Sequence, residues 1–209
     1  MLTGTVSADP DGDSLSYQWD QINVGTGTNE TNIGSDLGDN PLFRTFVPKA
    51  TSIRYFPRLS SLIGGVSDIG ETLPTTSRQL DFRMTVRDGE SGVGDDDVRV
   101  TVVAGAGAFR ITGGVLNEAP DKLGGSIQTL AWDLGGTGAS CPTLTASLLS
   151  ISADGTTYCD ADDDARLELA TGVLNTGTTS LTLPNALVAR ARVMLLSLIH
   201  ISEPTRPLH

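Results

Sequence analysis

Histidine is missing from the body of this chain. Of its 209 residues, only His200 and His209 are histidine, both at the C-terminal extreme. That excludes an H-E-x-x-H zinc helix, and any nucleophile–histidine–acid triad, from everything before them. Lysine is nearly as scarce, with only Lys49 and Lys122. Arginine supplies the other cations, Asp far outnumbers Glu, and the net charge is −11. Such a surface repels nucleic acid and anionic membranes, so neither is expected as a partner. No apolar run approaches the roughly 20 residues needed to span a bilayer. Neither a Walker-type phosphate loop nor a dinucleotide fingerprint is present. Two cysteines, Cys141 and Cys159, allow one disulfide of the kind an exported protein keeps; two separate buried thiols are the alternative. Helical periodicity is weak everywhere, and 162–171 is the only stretch that predicts a short helical turn.

What the chain has instead is alternation. Leu15, Tyr17 and Trp19 fall on one side of an expected strand, as do Leu80, Phe82, Met84 and Val86, with Asp81, Arg83, Thr85 and Arg87 facing out. Val98, Val100 and Val102 repeat the pattern. Later come Leu130, Trp132 and Leu134, then Leu144, Ala146 and Leu148, then Leu181 and Leu183, then Leu187, Ala189, Ala191 and Val193. Turn signals at Pro10-Asp11-Gly12, Asp88-Gly89, Gly105–Gly107, Asp154-Gly155 and Pro184-Asn185 separate these runs. Many short strands with regular turns predict an all-β chain of two antiparallel β-sandwich domains. The small-residue hinge Ala104-Gly105-Ala106-Gly107 sets their boundary, giving domains over 1–103 and 108–195.

One segment breaks the alternation. From about residue 24 to 76 the chain is rich in Gly, Asn, Thr, Ser and Pro, and it carries the aromatic residues Phe43, Phe46, Tyr55 and Phe56. A stretch this long is functional or an ordered insertion. The reading preferred here is that these aromatics seal the end of the core. If exposed, they offer a contact for a neighbouring domain or a substrate chain.

Acidic turns are the other feature. In Asp9-Pro10-Asp11-Gly12-Asp13, alternate carboxylates with a Gly for the tight turn are candidate calcium ligands, since calcium takes six to eight oxygens. Asp88 and Asp95, the latter in the run Asp95–Asp97, are assigned to other turns of the same domain and are possible completing ligands. The spacing is not that of an EF-hand, because Ser14 stands where Gly is needed and Asp20 where the bidentate Glu belongs. A solvated, self-capped turn is the plainer reading. Asp160, Asp162, Asp163 and Asp164 form a second cluster, read as an exposed acidic loop. Carboxylates are so plentiful that choosing two as a hydrolytic pair would be arbitrary, and no catalytic residue is assigned.

Two resemblances complete the reading. Leu196–Arg206 (LSLIHISEPTR) resembles the translated frame of a transposase adapter used in DNA library preparation, so 196–209 is treated as an artefact and the remainder as a fragment. Met1-Leu2-Thr3 leads straight into a polar turn, and no export signal is read there. The ordered motifs DPDGDSLSYQWDQ, NPLFRTFVP, RYFPRL, ETLP, RQLDFRMTVRDGESG and AGAFRIT are followed by IQTLAWDLGGTG, ASCPTLTASLLSISADG and LTLPNALVARARVML. In that order the chain resembles the accessory region after the catalytic domain of secreted bacterial reprolysin-like zinc metallopeptidases. The first half is similar to PKD and cadherin-like modules, the second to an immunoglobulin-like module lacking its last strand.

The resemblance implies a non-catalytic, exported fragment that spaces or stabilises an upstream catalytic domain in the same polypeptide, or binds a protein or polysaccharide substrate. The alternative is a calcium-rigidified binding module of a bacterial surface adhesin.

Overall fold

The computed structural model describes residues 1–5, 9–59, 61, 68–105, 107, 109–113, 124–139, 141–150, 167–185 and 191–196. They form two compact units that divide after Ala104. Both units are built of antiparallel sheets, so the chain is all-β and sandwich-like. No helix among the described residues is long and apolar enough to cross a membrane.

The first unit contains β1 (Leu2–Thr3), β2 (Ser16–Gln21), β3 (Ile53–Arg54), β4 (Arg78–Arg87) and β5 (Val93–Val102). Strands β2, β4 and β5 form one sheet with β4 in the middle, Tyr17 opposite Val86 and Phe82 opposite Val98. Because side chains alternate along a strand, one face collects Tyr17, Trp19, Leu80, Phe82 and Met84, all buried, with Val98, Val100 and Val102 packed against them. Burying each large side chain contributes about 1.5–3 kcal/mol. The other face carries cross-strand ion pairs, Arg83 to Asp97 at 2.7 Å and Arg99 to Asp81 at 2.6 Å.

This corrects the assignment of Asp95–Asp97 to a turn, because all three lie within β5. Asp disfavours strands in isolation. Here Asp95 and Asp97 are exposed and share Arg83 on the neighbouring strand, which makes them tolerable.

The second layer of this unit is mostly irregular chain. The β1–β3 ribbon and the insertion bring Leu2, Leu42, Phe43 and Phe56 onto the apolar face. Phe43 meets Phe56 edge-on at 5.2 Å between ring centroids, and Phe56 lies 4.5 Å from Phe82. These are favourable aromatic geometries. Phe43 and Tyr55 are buried, and Phe46 and Phe56 half-buried. Phe43 and Phe56 of the insertion therefore do seal the core, whereas Tyr55 and Phe46 lie outside that apolar cluster.

The second unit contains β6 (Arg110–Gly113), β7 (Ile127–Asp133), β8 (Thr143–Ser150), β9 (Leu167–Leu174), β10 (Thr178–Thr182) and β11 (Ala191–Leu196). They make two three-stranded sheets, β10-β7-β6 and β11-β8-β9. Leu130, Trp132 and Leu181 from the first sheet share one core with Leu144, Ala146 and Val173 from the second. The helical turn expected over 162–171 is corrected, since Leu167–Thr171 belong to β9 and 162–166 lie outside the described residues. Pairing to β8, with register shifts along the ladder, overrides the weak helical pattern. Of the adapter-like stretch only Leu196 is described, opposite Thr145 in β8.

Candidate functional site

The richest side-chain chemistry lies in the insertion. Arg54, on β3, follows from a strand too short to hide a charge by itself, yet its side chain is buried. One guanidinium nitrogen donates to the Trp19 carbonyl, and the other donates to the Arg44 carbonyl at 2.6 Å and to Glu71 Oε1 at 2.8 Å. The Glu71 side chain has no exposed surface, and its second oxygen accepts the Arg58 backbone N–H at 3.0 Å. Burial pushes the Glu71 carboxyl above its usual range, against the pull of Arg54. Burial likewise lowers Arg54, opposed by Glu71.

Phe46 sits among three guanidinium groups. Those of Arg58, Arg54 and Arg44 lie 4.4, 4.7 and 4.9 Å from its ring centroid. Arg54 also lies 4.3 Å from the Phe56 centroid, so it is held between two aromatic rings. Asp68 bridges Arg44 at 3.2 Å and Arg58 at 2.9 Å.

A second buried pair anchors the other end of the insertion. Asp36 Oδ1 accepts from Arg78 at 2.7 Å and from the Gly38 N–H at 2.9 Å. Its Oδ2 accepts the N–H groups of Thr75 and Thr76, at 2.7 and 2.9 Å, and the Thr76 hydroxyl at 2.9 Å. Burial alone would raise the Asp36 carboxyl, but the hydrogen bonds from Gly38, Thr75 and Thr76 outweigh it and hold it far below the carboxylate range. Arg78 also donates to the carbonyl of buried Asn40 at 2.6 Å. Gln21, at the end of β2, accepts the Leu42 and Phe43 N–H groups at 2.7 and 3.0 Å. These contacts supply the partners that an irregular buried backbone needs.

The acidic turns are built differently. Asp9 Oδ1 accepts the Asp11 and Asp13 N–H groups at 2.8 and 3.3 Å, and Gly12 takes a φ of +85°, which Gly adopts at low cost. Asp88 does the same in its own turn, accepting from Glu90 at 2.8 Å and Gly92 at 2.9 Å. A Cβ at position 92 would lie 2.1 Å from Asp88 Oδ2, so a larger residue there would push the carboxylate out of its capping position. Ser16 pairs with Arg87, and Arg87 with Val93, which places both turns at the same end of the sheet. Asp95 stands on the outer face of β5, 3.4 Å from Arg83. Among the described residues no three acidic, histidine or cysteine side chains gather as a cation-holding group. As they stand, Asp9 and Asp88 each cap their own turn.

Cys141 is a half-buried free thiol, and Cys159 lies outside the described residues, as do Asp160 and Asp162–Asp164. In the second unit the polar focus is Asn175. Its carbonyl accepts the Trp132 indole N–H at 2.8 Å, and its amide donates to the Cys141 carbonyl at 2.9 Å and the Thr137 hydroxyl at 3.1 Å.

Sequence reasoning overlooked the roles of Asp36, Arg54, Glu71 and Arg78. One signal was present: Arg78 falls in phase with Leu80, Phe82 and Met84, and an arginine on an apolar face demands a buried acid. The chain matches no protein-family profile, no curated protein and no solved structure.

Proposed function

We propose that the chain is a non-catalytic accessory fragment of an exported bacterial metallopeptidase, one that spaces and stiffens the catalytic domain or helps hold its substrate. The observation that supports this reading is how the first unit uses its charges. Asp36 and Glu71 fix the insertion, Asp81 and Asp97 pair with arginines across the sheet, and Asp9 and Asp88 cap turns. Charges committed in this way suit a rigid module better than a reaction centre. The order of the motifs, PKD-like and then immunoglobulin-like, supplies the link to a peptidase. The fold by itself does not, since sandwiches host unrelated functions.

Sequencing the genomic locus upstream of this frame tests the assignment. An H-E-x-x-H helix in frame supports it, whereas tandem sandwich repeats overturn it in favour of a surface adhesin. The isolated chain is expected to be inert toward a protein substrate with added zinc; chelator-sensitive cleavage would also overturn the proposal.

A calcium-rigidified adhesin module is the second reading, favoured by the two Asp turns sharing one sheet end. It requires Asp9 and Asp88 to exchange backbone donors for the cation. A melting temperature that is the same in calcium and in chelator removes calcium from the account.

A further inference from the structure

Two arginines of the cluster around Phe46 share one carboxylate. Arg44, Arg54 and Arg58 all approach the same ring. Buried Arg54 is answered by Glu71, and the Asp20 carboxylate also acts on it, whereas among the described residues Arg44 and Arg58 ion-pair with Asp68 alone. The outer pair therefore carries the excess positive charge, in a chain whose net charge is −11. The Arg44 and Arg58 side chains are 45% and 36% exposed, and Asp68, which they share, is 23% exposed.

Apolar surface adjoins the charge. Val47, next to Phe46, is 80% exposed, and Ile69, next to Asp68, is 66% exposed. The Arg44 N–H bonds the Gly70 carbonyl at 2.8 Å, and the Arg44 side chain packs over Gly70, which holds the segment carrying Ile69 beside the arginines. Arginine over an aromatic ring, flanked by exposed aliphatic groups, has the composition of a protein-binding hot spot. A polysaccharide would have little use for Val47 and Ile69.

We infer that the surface formed by Arg44, Phe46, Arg58, Val47 and Ile69 docks an acidic peptide segment, whose carboxylate displaces Asp68 from the two arginines while a neighbouring apolar side chain covers Val47 and Ile69. The inference stands whether or not the parent is a peptidase. Asp68 acts as a built-in competitor that keeps the arginines neutralised and oriented until the partner arrives. The outer arginines can form bidentate bonds with a carboxylate, which a lysine cannot match.

The test is titration of the full chain with an N-acetylated, C-amidated peptide of alternating Glu and Leu, alongside its Gln counterpart and dextran sulfate. Saturable binding of the Glu peptide is expected below about 1 mM. Arg44→Gln/Arg58→Gln is expected to weaken it about tenfold, and Asp68→Asn to strengthen it severalfold. The gain in Asp68→Asn is the discriminating sign, because a merely structural aspartate would weaken the fold and leave affinity unimproved. Should the double variant melt early, Arg44→Gln alone carries the same sign. Lack of saturation by both wild type and Asp68→Asn overturns the inference, as does equal binding of the Gln peptide or unchanged binding by the arginine variants. Binding of dextran sulfate without the peptide overturns the choice of partner.

Discussion

The two units solve one packing problem with different materials. In the second, two regular sheets face each other around an apolar cluster closed by Asn175, with only Thr145 and Ser147 as further buried polar residues among those described. In the first, one sheet faces an irregular insertion, and two buried ion pairs, Asp36–Arg78 and Glu71–Arg54, hold that insertion in place. The difference shows what sheet hydrogen bonding supplies. A strand satisfies its backbone through its neighbour, so its side chains are free to be apolar. An irregular cover has no such partner, and here charged and amide side chains take over the task.

The largest test of that contrast is to unpair a buried charge. Glu71→Leu leaves Arg54 without its counter-ion and is expected to cost about 3–5 kcal/mol in chemical denaturation, while Arg54→Met/Glu71→Leu recovers most of the loss. A tolerated single substitution would mean that the insertion is not held by charge. Phe82→Ala, which removes the ring meeting both Phe43 and Phe56, is expected to cost a comparable 3–5 kcal/mol, roughly.

Acid sharpens the comparison inside the first unit. Asp36 titrates below its unfolded value of 3.8. Its stabilisation is therefore present above that pH and drains away as pH falls toward the folded value. Glu71 titrates above its unfolded value of 4.5, so its contribution is fullest below that pH and declines as pH rises through the folded value. Denaturation measured against pH is expected to show a smaller acid limb in Asp36→Asn and an undiminished one in Glu71→Gln, Asp97 supplying part of what remains.

A smaller effect is expected in the second unit, where Asn175→Ala orphans the Trp132 indole N–H at a cost of about 1–3 kcal/mol. The smallest belongs to the outer sheet face. Arg83→Gln is expected to leave the melting curve unchanged, because its ion pairs are solvent-screened. Asp95→Val/Asp97→Val should also melt normally yet raise light scattering, since those charges guard the outer edge of β5.

The regular half of this architecture could be read directly. Among the described residues the alternation of Leu80–Val86 is a strand with the expected face inward, and Leu144 and Ala146 are likewise buried in β8. The two-residue strands β1 and β3 are too short for any period to show. Asp95–Asp97 were misplaced because local propensity speaks for a turn, while the stabilising arginine lies on another strand. The site was harder to read than the fold, for the same reason at longer range. Arg54 meets Glu71, and Arg78 meets Asp36, across irregular chain whose spacing carries no signal. Even so, Phe46 was visible as part of an aromatic group in the insertion.

The pairing of Ser16 with Arg87 also bears on how the molecule is made. β2 cannot find β4 until the whole insertion has left the ribosome, and neither can bury its apolar face until that insertion folds back. The β4–β5 hairpin can form locally, but closing so long a loop precedes the pairing of β2 and the docking of the insertion, and that part of the search is nonlocal. During synthesis β2 waits, with Tyr17 and Trp19 wet, for a partner strand that emerges only after the whole insertion.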